Sequence, residues 1–270
     1  MKLQRPSLSV TVITRNEEEN LPRFFESLRD WADEVVVVDS ASTDRTVAIA
    51  QQNGARVVQN EFVGYGHQKN FAQNLATHSW VLNLDADECV TPALKEEVDR
   101  FLIEQSLLPS PKYPLAAVPR KTAYLGRWIL HGGWYPNYLV RLARKDFARW
   151  TEPAVHEALE PLPGKRVQAH TLKNPILHYT FKNITDQILT NLKYSRRGYE
   201  DLVRAGKKPS LLRLVLKPIG KFLETYIIKQ GFRDGIPGFI ISVNAAHSMF
   251  LRQAYFFETD LPPHRRGGEP

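Results

Sequence analysis

Cysteine is nearly missing from this chain: Cys89 is the single thiol in 270 residues, so no intrachain disulfide can form. Its place beside an acidic motif suits a small buried residue better than a reactive one. Long apolar runs are missing too. The richest late stretch, Ile236 to Leu251, is interrupted and falls short of the roughly 20 uninterrupted apolar residues of a membrane span. No Gly-rich loop follows the first apolar segment, which excludes a dinucleotide fingerprint and a Walker loop. A nucleotide would have to be held otherwise, by an acidic residue for base or ribose and a metal for the diphosphate. No secretory leader is expected, because Met1 to Ser9 is polar and runs directly into that first segment, and a cytoplasmic location is expected with it. Repeats, low-complexity tracts and nucleic-acid-binding motifs are also absent, so no nucleic-acid partner is expected.

What is present alternates between two periods. Leu8 to Ile13 has the pattern of a buried strand, and Glu17 to Asp30 has helical spacing with Leu21, Phe24, Phe25 and Leu28 on one face. Val35 to Val38 is a run of four β-branched residues suited to the centre of a parallel sheet. It ends at Asp39, and Ser40 to Asp44 supplies turn and capping chemistry. A helix from about Arg45 to Asn53 stops at Gly54, and Arg56 to Val58 has the character of a third strand. Strand, helix, strand, helix, strand implies right-handed crossovers and a doubly wound, mostly parallel α/β sheet. Such sheets bind ligands beyond the carboxyl ends of their strands.

Two aspartates fall at such an end. The apolar stretch from Trp80 stops at Asp85-Ala86-Asp87-Glu88, and paired carboxylates there suit a hard divalent cation completed by phosphates and water. Asp39 belongs to the same edge.

Three segments together, Val10 to Glu17, Val37 to Thr46 and Leu84 to Glu88, resemble the family 2 inverting glycosyltransferases with a GT-A fold. Gly64 to Ala72 and Val155-His156-Glu157 narrow the resemblance to the bacterial branch that includes lipopolysaccharide inner-core β-glucosyltransferases. The resemblance implies that Asp39 contacts the nucleotide base or ribose, with Thr14, Arg15 and Glu17 enclosing the nucleotide. It makes Asp87 the direct ligand of Mg²⁺ or Mn²⁺ and Asp85 a ribose or sugar contact. Lys69 could meet the nucleotide.

Inversion needs one general base to take the acceptor's proton. Trp150 to Glu157 looks like a shaped loop, and Glu157 is the first choice for base, Glu152 the second. His156 is a candidate for the metal shell. The aromatic and glycine-rich stretch Trp128 to Tyr138 offers Trp134 and Tyr135 as sugar-stacking side chains, and Arg141 and Arg144 could meet phosphate.

The net charge of +7 conceals a division: residues 1–100 carry 10 basic and 16 acidic side chains, whereas residues 196–234 carry 10 basic and 4 acidic ones. A basic second half suggests an anionic surface or acceptor. Val215, Ile219, Phe222, Leu223, Tyr226 and Ile227 share a helical face, with Arg213, Lys217 and Lys221 on another. A basic amphipathic helix of this kind can lie in a membrane interface, although Pro218 should mark a helix start or a kink. The expected organisation is a GT-A catalytic domain over 1–190, divided into a nucleotide-binding half (1–108) and an acceptor-side half (109–190). A basic amphipathic helical region (191–260) and a disordered tail (261–270) follow.

The expected activity is transfer of a sugar, glucose from UDP-glucose, with inversion onto an anionic envelope glycolipid such as a lipopolysaccharide inner core. Peripheral contact with the cytoplasmic face of the inner membrane would accompany it. Transfer to a polyprenyl-phosphate carrier and a catalytically silent sugar-nucleotide-binding scaffold are the alternatives.

Overall fold

The structure is a computed structural model that describes residues 4–152 and 157–260. The expected tail and His156 lie outside the described residues. The described chain forms two compact units: one takes the chain up to Lys121 together with Pro136–Tyr179, the other Thr122–Tyr135 together with the chain from Thr180.

The first unit opens with β1 (Leu8–Thr14), α1 (Leu21–Leu28), β2 (Glu34–Asp39), α2 (Thr46–Gln52), β3 (Arg56–Gln59), α3 (Tyr65–Leu75) and β4 (Trp80–Asp85). Strands β3, β2, β1 and β4 lie side by side in that order, all parallel. The valine run of β2 shows why both faces must be covered. Val37 joins the core with Phe24 and Leu28 of α1, while Val36 and Val38 pack with Ala72 of α3. Alternate side chains thus point into opposite layers, as a two-sided buried strand requires.

α1 is shorter than the helical spacing of the sequence suggested. Glu17 to Asn20 forms a turn, the helix begins at Leu21 with Pro22 in its first turn, and Asp30 takes a left-handed φ of 56° beyond its end. Proline is tolerated at such a start because its missing N–H has no helical partner there.

The chain continues through β5 (Glu88–Val90), α4 (Pro92–Ser106), β6 (Leu115–Tyr124), β7 (Arg127–Trp128), β8 (Asn137–Arg144), β9 (Ala148–Trp150), β10 (Leu159–Pro161), β11 (Ala169–Thr171) and β12 (Ile176–His178), with β9 and β10 pairing as a separate two-stranded sheet. Beyond β4 the order is β8, β6, β12, β5, and the register is antiparallel where β8 meets β4 and β6 and where β12 meets β5. Antiparallel neighbours need no crossover helix, so after α4 this half is built from strands and loops alone.

The second unit carries α5 (Ile184–Arg204), α6 (Leu211–Leu223) and α7 (Gly235–Asp260), with one π turn at Glu224–Ile228 and one 3₁₀ turn at Gly231–Asp234. Its core gathers Tyr124, Ile129, Trp134, Phe181 and Ile241. Pro218 sits inside α6, not at its start, and the helix runs on past it into the π turn. The apolar face expected of α6 is split. Phe222 stacks on Tyr226 at 5.2 Å and both rings meet Phe239, whereas Val215, Ile219, Leu223 and Ile227 stay exposed.

Candidate functional site

Register brings the acidic residues of three segments to one edge. Thr14 of β1 lies opposite Asp39 of β2, and Ile13 lies opposite Asp85 of β4. Each strand is buried up to that level and ends there, so its last side chain meets the loops above the sheet.

Asp39 is fully buried and bound on both oxygens. Thr14 Oγ1 (2.9 Å) and Ser42 Oγ (2.5 Å) donate to Oδ1, while Ser42 N (2.9 Å) and Gln59 Nε2 (3.0 Å) donate to Oδ2. The carboxylate thereby ties β1, β3 and the Ser40–Asp44 loop together. Asn16 completes the loop by accepting from Thr43 N at 2.8 Å. Asn16 and Ala41 both hold φ of 56°. Asparagine adopts this conformation readily, but at alanine it costs about 1–2 kcal/mol, strain of the kind that accumulates at functional loops. Arg15 is exposed, and Glu17 accepts from Asn20 Nδ2 at 2.8 Å.

The second group centres on Lys69, a residue of α3 only 7% exposed. Its ammonium lies 2.9 Å from Asp85 Oδ1 and 2.9 Å from Glu157 Oε1, above the Trp150 ring at 4.5 Å. Arg141, 4% exposed, reaches Asp85 Oδ2 at 2.5 Å and Glu88 Oε1 at 2.7 Å through one Nη2. Arg120 approaches the same Glu88 oxygen at 3.4 Å, and Glu88 Oε2 accepts from Asp85 N. Three carboxylates and three cations therefore meet in one place, with Lys69, Arg141 and Glu88 buried and Asp85, Glu157 and Arg120 partly exposed. Burial by itself would push the Asp85 carboxyl up; the Arg141 guanidinium and the Lys69 ammonium outweigh it and hold that carboxyl well below the usual range. Their carboxylates raise Arg141 in turn against the effect of burial.

α3 is set in place by a close approach that only glycine permits. A Cβ on Gly66 would stand 2.0 Å from the carbonyl oxygen of Thr151. Asn70, one turn on, donates to Trp150 O and to Glu152 Oε1 and accepts from Trp150 N. Glu152 is exposed, and the Asn70 hydrogen bond, His67 and Arg149 together lower its carboxyl. Helix and loop are thus locked so that Lys69 and Glu157 meet.

Asp87 has a partner that sequence reasoning missed. His178 Nε2, at the end of β12, lies 3.2 Å from Asp87 Oδ2, and Tyr179 N donates to Asp87 O. Among the described residues no three His, Cys, Asp or Glu side chains converge as a closed metal cage. A carboxylate and an imidazole side by side nevertheless suit Mg²⁺ or Mn²⁺, which keep water and substrate phosphates as their other ligands.

The structure brings together Thr14 with Asp39, and Lys69, Asp85, Arg141 and Glu157. Arg144 is occupied by Asp146 at 2.8 Å. Trp134 and Tyr135 belong to the second unit, where Trp134 packs 5.8 Å from Tyr124. Glu88, Arg120, Trp150 and His178 were not anticipated. β12 is three residues long, too short to show a period, and the one available signal was a histidine closing the apolar pair Ile176-Leu177.

Comparisons with known proteins give the family. The model of the family described as Glycosyl transferase family 2 matches residues 9–124. An uncharacterized glycosyltransferase of Rickettsia bellii is 32% identical over 96% of this chain and 89% of its own. The lipopolysaccharide core biosynthesis glycosyltransferase LpsC of Rhizobium meliloti is 32% identical over 93% of this chain and 92% of its own. Among solved structures, residues 1–349 of S. aureus TarS superpose with a TM-score of 0.47 at 16% identity, over 96% of this chain and 93% of that one. The sequence relatives carry the assignment: this chain belongs to glycosyl transferase family 2 and has the GT-A α/β fold. It is therefore of an enzyme class that transfers sugars.

Proposed function

We propose that the chain moves a hexosyl group, glucose from UDP-glucose, with inversion onto an envelope glycolipid such as a lipopolysaccharide inner core. The observation that carries this is Lys69, a buried cation shared between Asp85 and Glu157 at the carboxyl edge of the sheet. The name of the LpsC relative supports the acceptor class, as does the basic second half of the chain.

In this mechanism Asp39, Thr14 and the Arg15–Glu17 turn receive the nucleoside, and Asp85 contacts the ribose or sugar while Arg141 fixes its orientation. Lys69 is a compact ammonium with three donors on a flexible stem. When the donor diphosphate arrives, Lys69 turns from Glu157 to the phosphate oxygens. Glu157 is then released to take the proton of the acceptor hydroxyl. The acceptor oxygen bonds to the anomeric carbon from the face opposite the departing diphosphate, and the configuration inverts. Glu152 is the second candidate for base. Asp87 with His178, and His156 as a further candidate, would hold Mg²⁺ or Mn²⁺, which supplies Lewis-acid stabilisation of the leaving diphosphate. Trp134, Tyr135 and Arg141 remain the candidates for sugar or acceptor contact.

No helix of the described residues is long and apolar enough to cross a membrane. The exposed apolar residues of α6, interleaved with Lys and Arg, support peripheral contact with the cytoplasmic face of the inner membrane.

Calorimetric titration with UDP, GDP and dTDP, with and without Mn²⁺, tests the donor site. Metal-dependent binding of UDP alone is the expected result. Failure of all three nucleotides to bind would overturn the donor assignment, whereas binding without transfer to any acceptor would favour the silent scaffold. If product formed in vesicles carries its sugar on polyprenol, the acceptor assignment gives way to the carrier alternative.

A further inference from the structure

The second unit holds two adjoining hollows with complementary linings. One, of about 200 Å³, sets the cations Lys221 and Arg252 and three uncharged polar side chains against apolar Trp134, Ile241, Ala245 and Met249. The other, of about 450 Å³, runs along α6 and is lined by Leu212, Leu216 and Met249, with Arg213 and Lys217 at its side. Lys221 and Met249 line both, so the two hollows are neighbours.

The smaller hollow suits an anion through its two cations. Arg252 Nε is buried with no hydrogen-bond partner among the described residues. That Nε is closed off against α5, so an anion in the hollow would meet Arg252 only through the part of the side chain that lines it. The guanidinium lies across α5 at Gly198, where a Cβ would stand 2.3 Å from that same Nε. A glycine in mid-helix costs about 1 kcal/mol relative to alanine, and here it is what makes room for the arginine. The two linings together contain four cations, Arg213, Lys217, Lys221 and Arg252, against the single carboxylate Glu224. Glu224 is already engaged by Lys221 at 3.0 Å and Lys229 at 2.5 Å.

The apolar hollow continues onto an uncovered surface. α6 buries none of its residues, and Leu212 is 68% and Leu216 53% exposed. Residues 207–233 carry seven Lys or Arg and one acid. A hollow with two cations in its wall, next to an apolar trough on an exposed basic helix, suits a phosphate headgroup attached to a hydrocarbon chain.

We propose that this pair of hollows binds the phosphate-bearing headgroup and first chain segment of a membrane lipid. Arg252 and Lys221 would hold the phosphate, and Leu212, Leu216 and Met249 the chain. The proposal rests on the assignment of a lipid-linked acceptor and names where on the chain the lipid is held. Its test uses neither donor nor metal, so its failure leaves the nucleotide site untouched.

The experiment titrates the full chain with dihexanoyl phosphatidic acid below its micellar concentration, followed by tryptophan fluorescence and calorimetry. Saturable one-to-one binding is expected, weakened about tenfold or more in Arg252→Gln, the loss of one charge-assisted hydrogen bond. Leu216→Asp places a carboxylate in the trough at an exposed position, where folding is not at stake, and a similar loss is expected. Inorganic phosphate is expected to bind at least about tenfold more weakly, because it lacks the chain. Absence of saturable binding, or binding that both variants leave unchanged, overturns the proposal. Equal affinity for inorganic phosphate makes the smaller hollow a free-anion site and overturns the lipid assignment. Association with anionic vesicles but not with the monomeric lipid reduces α6 to a surface contact and overturns the proposed site.

Discussion

Replacing Arg141 by methionine keeps most of the side chain's length and removes its charge. Glu88, fully buried, is then left with Arg120 at 3.4 Å as its cation, and Asp85 keeps only Lys69. Breaking a buried pair by deleting one partner costs about 3–5 kcal/mol, because the other charge stays desolvated. Folded domains are stable by about 5–15 kcal/mol, so the loss is a large fraction of the whole. At about 2–4 °C per kcal/mol for a domain of this size, the midpoint of thermal unfolding should fall by about 6–20 °C. Circular dichroism melts at pH 7 measure it. The pH dependence is a second check. The folded-state Asp85 carboxyl lies below its unfolded value of about 3.9, so the unfolded chain binds the proton first as pH falls. The contribution of Asp85 is therefore complete above about pH 5 and is lost toward lower pH. The gap between wild type and Arg141→Met should be widest at neutral pH and narrow toward pH 3. Arg141→Lys keeps a charge on a shorter side chain with fewer donors, and should melt between the other two. A loss under about 2 °C at pH 7 would show that water screens Arg141 from its carboxylates and would refute the reasoning.

Three further outcomes are expected. Gly66→Ala forces a methyl group against the Thr151 carbonyl, so it should destabilise by at least about 1–3 kcal/mol and displace Lys69 from Glu157, read as a lower unfolding midpoint and lower turnover. Glu157→Gln should leave UDP binding intact and lower the transfer rate by about 10²- to 10⁴-fold; a near-wild-type rate moves the base to Glu152 or elsewhere. Asp87→Asn should abolish the Mn²⁺ dependence of UDP affinity, with His178→Ala reducing it; titrations unchanged in both variants would remove the pair from the metal shell.

The parallel half of the fold was legible in the sequence because its strands and helices are long enough to show a period. Four consecutive valines can only belong to a strand covered on both faces, and α3 does cover the face that α1 leaves. Asp39 and Asp85 were legible for the same reason, since each ends an apolar run. The antiparallel half was not, because strands of three residues such as β5 and β12 carry no pattern of their own. α6 was seen as amphipathic, but its aromatic and aliphatic residues could not be sorted into packed and exposed without α7 in place.

The sequence by itself determined the strand–helix alternation of its first part, the carboxylates at the strand ends and the basic character of the last third. These follow from local periodicity and side-chain chemistry, which act over a few residues. Tertiary structure alone decided that Lys69 is buried between Asp85 and Glu157, that Arg141 is committed to Asp85 and Glu88, and that His178 stands beside Asp87. Those partners lie between 16 and 91 positions apart in the chain. Coulomb attraction depends on distance in space, and no local pattern encodes which distant charge will fill a buried place.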